Sequence, residues 1–442
     1  MKDHKSISPF LTLKNVVRAL FLLLIFTLGF MQPFAYLAGQ RLAPTDLLFP
    51  VVAILFTLAI LFGQLRFKWH KFYWVLAAYF AAMLVSAIFS VDPKASFIKL
   101  IGETYLIGLA VLVFNLIDDE NDLKQAIRVW LAGAAIPVII GLLALALFYL
   151  QPGHPLLAYT TYHYGAVPVG NYPRLSSTFI SASMFCNYLN VCLVMVLIAR
   201  ECQWIGKAVF FTFLAAIFIC SIFTISAGLG GIFLSSGIWI WLVLRKKPLA
   251  GRLALGGGIA IAVLFLALNF FALQNNSQNG PQNGGGSNYL YKIPGTAVEL
   301  QPSSRMLVWS DALKTFSEDP LTGKGLGQAV SHVVYRNTDG SYSLLTDAHN
   351  VFLSVAAQCG LIGLVTILGL AGYILWTGFA SNLAANRGAF MVKGLGIAFL
   401  SAFVYQGLTG SFEDARHLWV LIGIIPAAGP AIEAFQKSDI QC

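Results

Sequence analysis

One long polar stretch interrupts the apolar sequence of this chain, and it ends in DAHNVFLSVAAQCGLIG, from Asp347 to Gly363. It begins with QNNSQNGPQNGGGSN, from Gln274 to Asn288, whose composition indicates a flexible linker. Between them lie SSRMLVWSDAL, from Ser303 to Leu313, and the turn-rich EDPLTGKGLG, from Glu318 to Gly327. Almost everything on either side is apolar sequence in blocks of membrane-spanning length. We therefore expect a membrane scaffold that carries one large loop outside the bilayer.

The composition of the whole chain also indicates a membrane protein. Of its 442 residues, 58% are hydrophobic and only 11% are charged, whereas soluble domains carry about 25% charged residues. The net charge of +9 does not indicate nucleic-acid binding, because the basic residues lie in short loops at helix ends, where they set topology. We predict an all-α, polytopic membrane protein with membrane lipids, and no nucleic acid, as partners.

We predict about twelve spans from the lengths of the apolar runs. Their approximate ranges are 16–38, 45–63, 72–90, 96–116, 125–150, 178–199, 207–226, 229–244, 253–273, 350–376, 390–409 and 417–435. The first is interpreted as an uncleaved helix, and the close pair around SAGLGG, from Ser226 to Gly231, as two spans or a tight helical turn. The chain then divides into residues 1–273 with nine helices, the large loop 274–348, and residues 349–442 with three helices.

Lysine and arginine in the short loops orient these spans. With the N-terminus in the cytoplasm, the basic loops fall on the cytoplasmic side; they are 66–71, 200–207, 245–252 and 387–393. Loops 151–177 and 274–348 then face the opposite side. Both termini are predicted to be cytoplasmic.

The two outer loops carry the strongest candidates for chemistry, which are Arg174, Arg305 and His349. Arginine stays ionised and binds phosphate oxygens through a bidentate fork. Histidine titrates near neutral pH and can take a proton from an attacking hydroxyl. The three residues therefore fit a reaction in which a lipid-linked diphosphate leaves. Each also has an ordinary alternative role, as an interface anchor for the arginines and as a helix cap or packing residue for the histidine.

Arg305 begins an amphipathic stretch that we predict to be helical. Ser303 or Ser304 is expected to cap this helix. Its apolar side is predicted to consist of Met306, Leu307, Trp309, Leu313 and Phe316.

Five further residues are weaker candidates for a supporting role, namely Asp347, Asn350, His332, Lys324 and Arg416. Lys324 lies within Gly323 to Gly327, whose backbone amides could cradle a phosphate. A solvated turn is favoured there, because no strand–loop–helix unit surrounds it. Arg416 lies in the last outer loop, which either lines the same cleft or is simply solvated.

Lys99 and Glu103 stand four residues apart in the fourth span. They form either a functional intramembrane pair or a structural ion pair on one helix face. No His, Asp or Glu cluster has convincing metal-ligand spacing, so we predict no metal and no cofactor. The six cysteines lack a CxxC pair and are expected to be packing residues.

The stretch from Arg305 to Gly363 resembles the O-antigen ligase family, within the wider group of O-antigen ligases and polymerases. The spacing from His349-Asn350 to Gly360 and Gly363 is the most specific part of the resemblance. The other matching residues are Trp309, Ala312, Pro320, Gly323, Gly325 and Gly327. The hydropathy plan extends the resemblance over nearly the whole chain.

The resemblance implies a GT-C-like membrane fold in the bacterial inner membrane and a metal-independent, inverting glycosyl transfer at the periplasmic face. The implied donor is a glycan on undecaprenyl diphosphate, and the implied acceptor is the lipid A–core oligosaccharide. The resemblance also implies that His349 and Arg305 are important for this reaction. Many relatives carry a Ser-Arg-Gly type motif between two mid-chain spans, where this chain reads ISAGLGG, from Ile225 to Gly231, without arginine. Arg174 is our candidate to replace it.

Two other functions remain open from the sequence. A polymerase, or a ligase with a protein acceptor, would use the same lipid-linked donor. A lipid or glycan transporter would carry out no covalent chemistry, but it would be expected to show internal repeats and interrupted helices at midplane depth, and no convincing repeat is present.

Overall fold

The computed structural model describes residues 12–37, 40–164, 172–244, 246–275, 291–292, 294–295, 298–336, 342–380, 387–410 and 415–441. Helices dominate this part of the chain. They are α1 (Leu13–Phe26), α2 (Pro44–Leu61), α3 (Phe72–Ile88), α4 (Pro93–Leu116), α5 (Glu120–Leu150), α6 (Leu157–Thr160), α7 (Ala182–Glu201), α8 (Lys207–Phe223), α9 (Leu229–Val243), α10 (Pro248–Ala267), α11 (Ser304–Glu318), α12 (Val351–Phe379), α13 (Arg387–Thr409) and α14 (Arg416–Gln441). The protein is a polytopic, mostly helical membrane protein.

A helix lies at each of the twelve positions where a span was predicted. Seven of these helices are long and apolar enough to cross a membrane, namely α2, α4, α5, α7, α10, α12 and α13, and three more, α3, α8 and α9, are apolar but shorter. Helices α1 and α14 belong to neither group. The count of twelve spans and the GT-C-like architecture therefore stay predictions.

The predicted first span was wrong at its C-terminal end. Helix α1 ends at Phe26, and a 3₁₀ turn over Thr27–Gly29 follows it. Pro33 lacks the amide hydrogen that a continuing helix would need. The chain instead forms strands β1 (Ala35–Leu37) and β2 (Gln40–Leu42), which pair antiparallel.

Both predicted outer loops contain short antiparallel sheets. Strands β3 (Thr161–Tyr164) and β4 (Tyr172–Leu175) form a hairpin in the first loop. The second loop contains a sheet of order β5-β7-β6, made of β5 (Phe271–Asn275), β6 (Tyr291–Lys292) and β7 (Val298–Pro302), and a hairpin of β8 (Val333–Arg336) and β9 (Tyr342–Leu345). Of the predicted linker, Gln274 and Asn275 end β5, and 276–288 lie outside the described residues.

Helix α7 is the centre of the bundle. Within its apolar window 89% of the residues are buried, against 17% in α10 at the periphery. Polar side chains of α7 join it to its neighbours: Asn190 donates to Ser401 Oγ of α13 at 3.0 Å and accepts from Ser235 Oγ of α9 at 2.8 Å. Hydrogen bonds of this kind hold helices together in a membrane, where the hydrophobic effect does not act between them. The scaffold under the outer loops is thus a tightly packed bundle.

The predicted orientation can be tested by cysteine accessibility. Lys314→Cys on α11 should react with a membrane-impermeant maleimide added from the periplasmic side, and Lys246→Cys should react only after the inner membrane is opened. Both positions are exposed, whereas native Cys186, Cys192 and Cys359 are buried and should give little background. Labelling of both variants from one side would contradict the topology.

Candidate functional site

Helix α11 positions Arg305 and packs its inner face against the start of α12. Val308 and Ala312 are buried in this contact, and Trp309 and Phe316 are partly buried beside them. Met306, Leu307 and Leu313 are about half exposed, at 48%, 47% and 53%. The predicted apolar side was therefore only partly correct, because the small Ala312 rather than the largest side chains marks the face that fits closely.

Trp309 connects α11 to the segment that carries His349. Its indole Nε1 donates a hydrogen bond to the carbonyl oxygen of Ala348 at 2.9 Å, and its ring packs edge-on against Phe270. Arg305 stands four residues earlier on α11, so it occupies the same face one helical turn away. The indole therefore fixes the distance between the start of α11 and His349.

Arg174 and Arg305 lie close enough to repel each other. Arg174 is on β4, and its Nε donates to the carbonyl oxygen of Thr224, just after α8, at 3.1 Å. Burial and the charge of Arg174 lower the pKa of the Arg305 guanidinium. Since arginine remains protonated in proteins, the fold holds two like charges together. Such an arrangement favours the binding of an anion that carries more than one charge.

His349 has a left-handed backbone, and its imidazole lies beside the carboxylate of Asp347. Its φ is 48°, a region that few residues other than glycine adopt. Its amide donates to Asp347 Oδ1 at 3.1 Å, and its Nδ1 lies 3.5 Å from Asp347 Oδ2. Ser354 Oγ donates to the same carboxylate at 3.0 Å. The histidine side chain is 54% exposed, so it lies beside a carboxylate and is open to solvent.

Asn350 holds the start of α12 directly after His349. Its Oδ1 accepts a hydrogen bond from the amide of Leu353 at 3.2 Å, and the residue is buried. This is the geometry of a helix N-cap. The residue anchors the backbone that carries the histidine, and a further role for Asn350 in the site stays a prediction.

The turn around Lys324 is bonded to a break in α12 rather than left in solvent. Helix α12 is interrupted at Gly360, where φ is 64° and ψ is −164°. The break leaves backbone groups of α12 without helical partners, and the turn provides partners for them. The amides of Lys324 and Gly325 donate to Ala357 O at 2.9 Å and to Gln358 O at 3.0 Å. The amide of Leu361 donates to Pro320 O at 2.8 Å.

These bonds overturn both interpretations of this turn from the sequence. The amides of Gly323 and Gly327 also have protein acceptors, Asp319 O and Gln358 Oε1, so the amides do not form a phosphate cradle. The turn is not a solvated one either, because Leu326 is buried. It is a structural junction, hereafter the α12 clamp (residues 320–327 with 357–361), that attaches the outer loop to the membrane helices.

Gly360→Ala is expected to destabilise the protein by about 2 kcal/mol or more, since a left-handed backbone disfavours Ala and the added methyl would overlap another atom. A Cβ at Gly360 would lie 2.1 Å from the carbonyl oxygen of Leu321. The melting temperature in detergent measures the effect. Gly369→Ala, in the same helix, is the control, because a Cβ there meets nothing within 4 Å. Equal melting temperatures for both variants would show that the clamp does not contribute to stability.

His332 and Arg416 each have a partner on a helix elsewhere in the chain. The amide of His332 donates to Asp311 Oδ2 of α11 at 2.8 Å. Arg416 forms a two-pronged ion pair with Asp46 on α2, with Nε–Oδ1 at 2.6 Å and Nη2–Oδ2 at 2.7 Å, and Tyr105 on α4 donates to the same carboxylate at 2.7 Å. This largely buried pair joins three helices, which favours a structural role for Arg416. Asp46 was not predicted from the sequence, because its partner lies 370 residues away.

A polar cavity of about 320 Å³ adjoins Asp347. It lies between α4, the α12 clamp and the end of the outer loop, and its lining comprises Lys99, Gly327, Gln328, Ala329, Thr346, Asp347 and Gln358. Lys99 of α4 is one of its lining residues, and Glu103, one helical turn further along α4, is buried. Among the described residues, no group of three or more His, Cys, Asp or Glu side chains is placed to hold a metal ion.

Comparison with known proteins finds similarity over parts of the chain. Two relatives are described as probable peptidoglycan glycosyltransferase FtsW. The protein from Thioalkalivibrio sulfidiphilus (strain HL-EbGR7) is 33% identical over 94 residues, which is 20% of this chain and 21% of the relative. The protein from Halothiobacillus neapolitanus (strain ATCC 23641 / c2) is 27% identical over 123 residues, 27% of this chain and 26% of the relative. The chain therefore spans about a fifth to a quarter of the length of these relatives.

A family model provides the more informative match. The model described as O-antigen ligase matches residues 210–368. This range contains Arg305, His349 and the α12 clamp, while Arg174 lies before it. The resemblance first seen between Arg305 and Gly363 is confirmed, because residues 210–368 match the O-antigen ligase family model.

Proposed function

We propose that this protein transfers a glycan from undecaprenyl diphosphate to a sugar hydroxyl of the lipid A–core oligosaccharide, at the periplasmic face of the bacterial inner membrane. The match to the family supports a membrane glycosyltransferase of the O-antigen ligase or polymerase type. The observation that carries the proposal is that Arg305, whose charge interacts with that of Arg174, lies one helical turn from Trp309, and the indole of Trp309 bonds to Ala348 beside His349.

The reaction follows from the roles of these three residues. His349 takes the proton from the acceptor hydroxyl, whose oxygen then forms a bond to the anomeric carbon of the donor. The bond from that carbon to the diphosphate oxygen breaks, and its electron pair leaves with the diphosphate. Arg174 and Arg305 stabilise the charge that accumulates there. A single displacement of this kind inverts the anomeric configuration, and it needs no nucleotide because the donor is already activated.

The surroundings of His349 suit a general base. The carboxylate of Asp347 lies 3.5 Å from Nδ1, which leaves Nε2 to accept the proton of the hydroxyl. The open position of the ring gives a bulky acceptor access to it. The left-handed backbone at this residue is a strained feature of the kind that concentrates at functional sites.

Defined-component reconstitution tests the proposal. Purified protein in liposomes, given a glycan on undecaprenyl diphosphate and rough lipopolysaccharide, should produce glycosylated lipopolysaccharide in the presence of EDTA, because arginines replace a metal at the diphosphate. A lipopolysaccharide-integrity control without enzyme accompanies the EDTA arm. Growth of the glycan on its lipid carrier would indicate a polymerase, and transfer of the glycan to a protein would indicate a protein ligase. Movement of the donor without a new glycosidic bond would indicate a transporter. Loss of turnover with EDTA that a divalent cation restores would contradict the arginine mechanism.

A further inference from the structure

The cavity beside Asp347 has a wall that is already ordered by hydrogen bonds. Gln358 Oε1 accepts from the amide of Gly327 at 3.0 Å, and its Nε2 donates to the carbonyl oxygen of Gln328 at 3.2 Å. Gln328 Nε2 in turn donates to Asp92 O at 3.3 Å and lies 3.4 Å from Ser96 Oγ. These bonds fix both amide groups before any ligand binds, which lowers the entropic cost of binding.

The wall contains both hydrogen-bond donors and hydrogen-bond acceptors. Its lining residues include Lys99, Asp347 and Thr346, together with the two glutamines whose amides are ordered. The amide of Gln358 has a second hydrogen and a second lone pair beyond the bonds described. Sugar hydroxyls both donate and accept, so they match such a wall. A diphosphate would not, because it would face the carboxylate of Asp347.

The size of the cavity agrees with a single sugar ring. Its volume of about 320 Å³ is at the lower end of the range for small-molecule sites, roughly 300 to 1,000 Å³. The arginines Arg174 and Arg305 are not among the described residues that line it. The cavity instead meets the site through Asp347. It therefore adjoins the carboxylate next to His349 and is lined by neither arginine.

We propose that this cavity binds one pyranose ring of the acceptor glycan. The bound ring then holds the reacting hydroxyl, which lies next to it in the acceptor, at His349. The inference rests on the proposed function and adds to it a subsite for the acceptor. The donor glycan also consists of sugar rings, so the experiment must distinguish the two sources of a pyranose.

Two variants probe the cavity, each with a matched control. Ala329→Leu fills the space, and Ala95→Leu places the same side chain at an exposed position at the start of α4. Lys99→Met removes the ammonium group but keeps the stem that packs against Gly327, and Lys94→Met is its control on the same helix. Steady-state rates are measured against acceptor and donor separately, and binding of delipidated core oligosaccharide is measured without donor.

Both cavity variants should raise the KM for the acceptor about tenfold, the effect of losing interactions worth about 1.4 kcal/mol, and should weaken oligosaccharide binding in parallel. The KM for the donor and the kcat at saturating acceptor should stay within about twofold of wild type, and the controls should match wild type throughout. Melting temperatures show whether each variant folds; if Ala329→Leu does not, Lys99→Met decides the question.

An active wild-type enzyme whose variants retain the acceptor KM and oligosaccharide binding would overturn the subsite and leave the proposed function intact. A rise in the donor KM alone would assign the cavity to the donor and would equally overturn the acceptor subsite. Absence of transfer by the wild-type enzyme would instead refute the proposed function, and this outcome is visible before any variant is compared.

Discussion

His349→Ala should lower the rate of glycan transfer about a hundredfold or more, the usual effect of losing an acid–base group. The loss should appear in kcat, with donor binding retained, because the diphosphate is held by Arg174 and Arg305. His154→Ala is the control. His154 is an exposed histidine of the first outer loop, and its Nδ1 accepts from the amide of Leu156. If His349→Ala abolishes donor binding but leaves kcat at saturating donor unchanged, the residue binds substrate and is not a base.

The backbone at His349 makes the choice of variant important. Alanine disfavours a φ of 48°, whereas asparagine adopts the left-handed region readily. His349→Asn therefore preserves the local fold and removes the basic imidazole. It should be as inactive as His349→Ala but melt closer to wild type. His349→Gln should retain part of the activity only if the ring merely orients the hydroxyl, so the three variants together separate proton transfer, orientation and folding.

The positions of the helices could be predicted from the sequence, because apolar blocks of membrane length have few other solutions. The end of the first helix could not be predicted, because the apolar run continues past the end of the helix, through Pro33 and into a hairpin. Hydrophobicity alone does not reveal this hairpin. The helix at Arg305 was also predictable. The buried face of this helix was not predictable, because it depends on which side chains fit against α12. Ala312 is buried in this contact, and Leu313 is not.

The candidate site was only partly predictable. Arg305 and His349 could be selected because arginine and histidine suit a diphosphate-leaving reaction and because both match the family pattern. The glycines of the same pattern attach the outer loop instead. Gly360 breaks α12, and Gly323 allows the clamp to pack so closely that a Cβ there would lie 2.3 Å from the carbonyl carbon of Gln358. The sequence motif therefore combines residues for chemistry with residues for attachment of the loop, and only the three-dimensional contacts separate them.

Arg305→Ala should lower the rate on the order of a hundredfold to a thousandfold, the effect expected when one donor to a developing charge is removed. Arg305→Lys should recover little of this loss, because a point charge replaces a planar fork that grips two oxygens. Lys314→Ala, an exposed cation on the same helix, is the matched control and should leave the rate unchanged. A near-normal rate for Arg305→Ala would remove this residue from the site.

Variants of Arg174 should show whether the two arginines bind one anion. Inorganic pyrophosphate should raise the melting temperature of the wild-type protein, because it binds the folded state, and each arginine variant should lose this increase. If both guanidiniums grip the same diphosphate, the double variant Arg174→Ala/Arg305→Ala should lose less activity than the product of the single losses, since groups that share a partner are not additive. Independent, multiplicative losses would place the arginines at separate sites. A near-normal rate for Arg174→Ala would leave the arginine missing from ISAGLGG without a replacement.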